Sequence, residues 1–169
     1  MQVRPIRTSL VATFALAAAP VAAQPSTQPR LSPADQAAAF RAAGFKKVGR
    51  QWQGCGDPGT AGYSPGEIET VRDIDGDGRL DAIITESSVF CFGNTGTGYT
   101  LVSKQANGTW KKITGGPGMV TILPRRAATG WPDLEIGGPG FCFPVERWNG
   151  REYALHRHQY DGKPCRPPQ

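Results

Sequence analysis

Between Asp73 and Asp81 the chain reads DIDGDGRLD, four aspartates at alternating places in nine residues, with glycines between them. Carboxylates packed this closely repel one another, so a fold that gathers them needs a nearby source of positive charge. Counted from Asp73, the carboxylates fall at positions 1, 3, 5 and 9: Asp73, Asp75, Asp77 and Asp81. Position 6 is Gly78, where the chain must turn sharply, and position 7 is Arg79, which offers its backbone carbonyl. Oxygens at such spacing wrap one hard cation, and Ca²⁺ takes six to eight of them at about 2.3–2.6 Å. The expectation is a calcium site built from Asp73, Asp75, Asp77, Arg79 and Asp81. The alternative is a solvated acidic turn with no ion, since Asp and Gly both favour turns.

The loop is not an EF-hand. That motif closes with a bidentate Glu at position 12, and position 12 here is Ile84. The flanks EIETVR and LDAIITE read as strands, not as amphipathic helices. An aspartate at position 9 between two strands resembles the calcium loop of FG-GAP and VCBS-type repeats, the propeller repeats of integrin α-subunits and many secreted bacterial proteins. Asp73, Asp75, Asp77, Gly78 and Asp81 followed by Ala82-Ile83-Ile84 carry the resemblance. It implies a calcium ion in this loop. The propeller of that family does not carry over, because this chain is too short for a ring of four-stranded blades. Over a longer span, the order FRAAGF, DIDGDG, LVSK, GGPGFCFPV and WNG is similar to small uncharacterised exported bacterial proteins.

The first 23 residues read as a secretory leader. Arg4 and Arg7 give a basic start, Leu10 to Ala19 is a short apolar run, and Val21 to Ala23 supplies the small residues of a cleavage site. A membrane span would need about 20 apolar residues. The expected product is periplasmic or secreted, with no membrane insertion after cleavage. Its 146 residues would carry a net charge of +3, because the leader removes two arginines and no acid. The basic residues are scattered in pairs such as Lys46-Lys47, Lys111-Lys112 and Arg125-Arg126, so nucleic acid is not an expected partner.

Export makes an even number of cysteines a disulfide framework. Cys55–Cys91 and Cys142–Cys165 each close a moderate loop and are preferred; an internal echo described below offers Cys91–Cys142 instead. None is spaced as CxxC, and no partner histidine suggests a catalytic thiol.

Residues 24–31 are polar and proline-rich and read as a disordered linker ahead of one domain, 32–169. Ser32-Pro33 starts a helix over 33–43, which Gly44 stops, with Phe40 and Phe45 as its anchors. Beyond it, short β-forming runs alternate with turn signals. Strands are expected at Val48 to Gln53, Glu67 to Arg72, Ala82 to Glu86, Tyr99 to Gln105, Thr109 to Thr114, Val120 to Leu123, Asp133 to Ile136, Cys142 to Trp148 and Arg151 to His158. Asn107-Gly108 and Asn149-Gly150 suit two-residue hairpin turns. The second would set Arg147 opposite Glu152; the first would set Lys104 opposite Lys111. The fold expected is mainly β: an antiparallel meander, or two propeller-blade-like repeats, with one short N-terminal helix.

The stretch GRLDAIIT…FCF is echoed by GWPDLEIG…FCF. In the same frame the second loop has Arg125, Ala127, Thr129, Gly130 and Asp133 at positions 1, 3, 5, 6 and 9. This predicts a degenerate second repeat that keeps the turn and Asp133 and holds no ion.

Other residue sets carry less. His156 and His158, two apart on one strand, could grip zinc or copper but lack a third ligand. Glu67, Glu69 and Glu86 could supply a glycosidase-like pair. Trp52, Trp110, Trp131 and Trp148 could form a sugar platform, though packing suits them better. There is no H-E-x-x-H or P-loop motif. Read as a whole, the sequence describes an exported calcium-binding structural or binding module, acting on a protein or glycan of the cell envelope. The alternative is a periplasmic envelope hydrolase or an inhibitor of one.

Overall fold

A computed structural model describes residues 29–124, 127 and 129–167. The leader, most of the linker, Arg125 and Arg126 lie outside the described residues. No helix among the described residues is long and apolar enough to cross a membrane.

Helix α1 spans Pro33–Ala42. The Ser32 hydroxyl accepts a 3.1 Å hydrogen bond from the Asp35 amide, and Pro33 fills the first helical turn. Gly44, at φ 93°, turns the chain away in a conformation that disfavours any residue with a Cβ. Asp35 ties the helix down: its carboxylate lies 2.9 Å from Lys104 Nζ and accepts from Trp110 Nε1 at 3.0 Å. The bond from Lys104, with that from Trp110, holds its carboxyl below the usual carboxylate range. Ser32→Ala should cost about 1 kcal/mol of stability, measurable by denaturant titration, because one helical amide loses its acceptor.

A small hairpin of β1 (Lys46–Val48) and β2 (Gln51–Gln53) follows. The first sheet is a four-stranded antiparallel meander of β3 (Ser64–Arg72), β4 (Asp81–Ser87), β5 (Thr97–Lys104) and β6 (Trp110–Pro117), paired in that order. A short helix, α2 (Val89–Phe92), interrupts the β4–β5 connection. The second sheet is the meander β7 (Met119–Ile122), β8 (Leu134–Gly137), β9 (Phe143–Trp148), β10 (Tyr153–Tyr160) and β11 (Lys163–Pro164). The architecture is the expected one, mainly antiparallel β with one short helix at its start. Among the described residues it shows two successive meanders and no closed barrel or propeller ring.

The central strands β4 and β5 of the first sheet are buried on both sides, which explains why Ala82, Ile83 and Ile84 are all apolar. Ala82, Ile84 and Val102 face α1, with Phe40, Phe45 and Trp110. Ile83, Tyr99 and Leu101 face the second sheet and meet Leu134, Val120, Ile136 and Tyr153. Ile74, inside the aspartate loop, is buried in this same inter-sheet core. Disulfides join Cys55 to Cys91 and Cys142 to Cys165, the preferred pairing; Cys91 and Cys142 are not joined.

Neither Asn-Gly pair forms the centre of a two-residue turn. Lys104 pairs with Trp110 and not with Lys111, because Gln105 N bonds Thr109 O at 2.7 Å and leaves three residues in the loop. Arg147 pairs with Ala154 and not with Glu152. There Asn149 N donates to Glu152 O at 3.0 Å and the Asn149 side chain accepts from the amides of Arg151 and Glu152, which moves the turn one residue along to Gly150-Arg151. His156 is the extra residue of a bulge between Leu155 and Arg157, so the strict alternation linking it to His158 is broken.

Candidate metal centre

The aspartate loop joins β3 to β4. Its turns form because each carboxylate accepts from backbone amides further along. Asp73 Oδ1 accepts from Gly76 N at 2.6 Å and Asp73 Oδ2 from Gly78 N at 3.0 Å; Asp75 Oδ1 accepts from Asp77 N at 3.1 Å. Gly76 and Gly78 take φ values of 79° and 84°, which such tight winding requires. These amides supply partial positive charge to the loop but no full cation.

Asp73, Asp75 and Asp81 converge: one carboxylate oxygen from each lies within 4.8 Å of the others. Two oxygens on opposite sides of a calcium ion would stand about 4.6–5.2 Å apart, so this spacing fits a shared ion. Asp77 lies outside the group. Its carboxylate makes an ion pair with the Arg79 guanidinium and accepts from Arg79 N. Arg79 Nε also donates to Lys104 O at 2.9 Å, which fixes the arginine against the β5–β6 hairpin.

Asp81 has no exposed surface. Its Oδ2 accepts from Ile74 N at 2.7 Å, while the buried Oδ1 makes no hydrogen bond of normal geometry; the Ser103 hydroxyl and the Asp75 amide stand near enough to favour the ionised carboxyl without offsetting its burial. Burial pushes the Asp81 carboxyl up to about 6. Burial also raises Asp75, and the charges of Asp77 and Asp73 add to that. Leaving a buried acceptor unsatisfied costs about 1–3 kcal/mol, more when it is charged. A cation shared with Asp73 and Asp75 supplies what Oδ1 lacks, and the residues present fit such an ion.

The second meander holds a counterpart. Asp81 opens β4, the second strand of its sheet, and Asp133 directly precedes β8, the second strand of the next. Both are buried. Asp133 accepts two bonds from Arg147 at 2.9 and 2.8 Å and a third from Arg157 at 3.1 Å. A guanidinium cluster on β9 and β10 therefore neutralises the aspartate of the second meander. The two turns also touch: Gly130 N donates to Asp75 O at 2.6 Å.

The remaining residues singled out by sequence do not form a second centre. His156 and His158 join no group of three or more metal-ligating side chains among the described residues. Glu67 and Glu69 line an open groove of about 750 Å³ beside α1, whereas Glu86 lines a different pocket. Trp52 stacks on Phe40, Trp110 is buried in the core beneath α1, and Trp131 and Trp148 pack with Tyr153, so the four tryptophans belong to separate packed clusters and not to one platform. Sequence reasoning missed Arg147 and Arg157, whose only signal was basic residues on strands close to Asp133. A comparison with protein-family models, curated proteins and solved structures finds no match for this chain.

Proposed function

We propose that the chain is an exported binding or structural module stabilised by one calcium ion, held by Asp73, Asp75 and Asp81 in the β3–β4 loop. The observation that carries this reading is the buried Oδ1 of Asp81, which makes no hydrogen bond of normal geometry and belongs to one of three converging carboxylates. Calcium is the natural choice because the donors are all hard oxygens, and the Arg79 carbonyl and water can complete the shell. Two disulfides suit the oxidising compartment to which a leader would send the chain.

Bound calcium would order more than its own loop. It would hold Asp81 and, through it, the Ile74 amide, keeping Ile74 seated between the sheets. It would also fix Asp75, whose carbonyl receives Gly130 from the second meander. The reading assigns the site a structural role, and the surface of the module a partner in the cell envelope, a protein or a glycan. The exposed ring of Phe141, packed on Tyr160 at 6.1 Å, belongs to that surface.

Thermal unfolding with calcium and with chelator tests the site. Extracellular calcium modules bind in the 10⁻⁴–10⁻³ M range, so 10 mM Ca²⁺ should stabilise the fold by about 1.4–2.7 kcal/mol. A midpoint indifferent to chelation removes the metal reading.

A further inference from the structure

Three carboxylates on or beside strands are almost fully buried among the described residues: Asp81, Asp133 and Glu86. Asp133 has its guanidinium partners, and Asp81 faces the carboxylates of the proposed ion site. Glu86 belongs to neither arrangement. It is 3% exposed and forms no ion pair among the described residues. Its oxygens are held by neutral donors only: Gly54 N and Cys55 N, each at 2.9 Å, and Tyr63 OH at 3.0 Å. These bonds fix the carboxylate in place without cancelling its charge.

Glu86 lines a pocket of about 260 Å³ on the helix-side face of the first sheet, near the C-terminal end of α1. Gly98 and Gly115 also line it, so part of its surface carries no side chains. Gly98 lies so close beneath Phe92 that a Cβ there would come within 2.3 Å of the ring. Phe45 and Phe92 provide aromatic surface. Lys112, an exposed residue, completes the lining.

We infer that this pocket binds an organic cation, a primary ammonium or a guanidinium group on a short apolar stem. The carboxylate of Glu86 supplies the opposite charge and the Phe45 and Phe92 rings supply apolar and cation–π contact. The volume suits one basic side chain of a peptide or a small alkylamine better than a larger ligand. This site is independent of the aspartate loop.

The test titrates the isotopically labelled full-length mature chain, at low ionic strength, with n-butylammonium and with n-butanol, following amide resonances by NMR. The expected result is saturable shifts at Gly54, Cys55 and Gly98 with butylammonium and none with butanol. Equal responses to both, or none to either, overturn the inference. Glu86→Gln should weaken butylammonium binding at least about tenfold. Because Glu86 also anchors residues 54–55, Lys112→Ala provides a second reading that leaves this anchor intact. Removing a like charge beside the ligand should tighten binding about twofold to fivefold, and unchanged or weaker binding in Lys112→Ala counts against the site.

Discussion

In chelator at neutral pH, Asp81→Asn should unfold at a higher temperature than the unaltered chain, and calcium should no longer stabilise it. Asparagine keeps the shape and can still accept the Ile74 amide, but removes a buried charge. The cost of that charge follows from its titration. The Asp81 carboxyl sits at about 6 in the fold, against an ordinary value of 3.8. At about 1.4 kcal/mol per unit, the ionised group weakens the calcium-free fold by up to about 3 kcal/mol. The folded state binds the proton more tightly than the unfolded state does. Stability of the calcium-free chain therefore falls as pH rises from about 4 to about 6. The advantage of Asp81→Asn should be full above pH 6 and absent below pH 4. Calcium competes with that same proton, so its stabilising effect should fade as pH drops below about 6. A variant less stable than the unaltered chain in chelator at pH 7 would mean that Asp81 is satisfied without an ion.

The sequence made the class of fold legible because the two signals that set it are local. Turn residues punctuate short β-forming runs, and β4 carries a doubly apolar stretch, Ala82-Ile83-Ile84, that only a strand between two layers can bury on both faces. Asp73, Asp75 and Asp81 were legible for the same reason, since one loop supplies all three. Asp77 was assigned to the group by spacing alone; in the fold its neighbour Arg79 captures it, an interaction that a pattern of aspartates does not reveal. Strand register was misread wherever a side chain rebuilt the turn, as Asn149 does by accepting two amides. What depends on distant strands was not readable at all. Glu86 meets Gly54 and Cys55 across more than thirty residues, and Asp133 meets Arg147 and Arg157 only after β8, β9 and β10 have paired.

That last cluster carries a large mutational effect. Removing both guanidinium groups with Arg147→Met and Arg157→Met should destabilise the fold by about 3 kcal/mol in urea or guanidinium titration, because the Asp133 side chain is only 7% exposed and loses three charge-assisted hydrogen bonds. The arginines themselves are about a third exposed and bring little of that effect by their own solvation. The loss should therefore be largely recovered when Asp133→Leu is added, since the buried charge then disappears together with its partners. Gln159 sits on the same network, accepting from Arg157 and donating to Glu135, so part of the loss should persist in the triple variant as a disturbed β8–β10 face. The comparison with Asp81 is the decisive part. Both aspartates occupy the opening of the second strand of a meander; one is neutralised by side chains of the chain itself, the other, on our reading, by an ion from outside. Calcium should therefore leave the stability lost in the double arginine variant unrepaired, while still adding its own increment through the first loop. If instead that increment vanished in the double arginine variant, the two meanders would share one electrostatic site across the Gly130–Asp75 contact, and the assignment of one cation to each would fail.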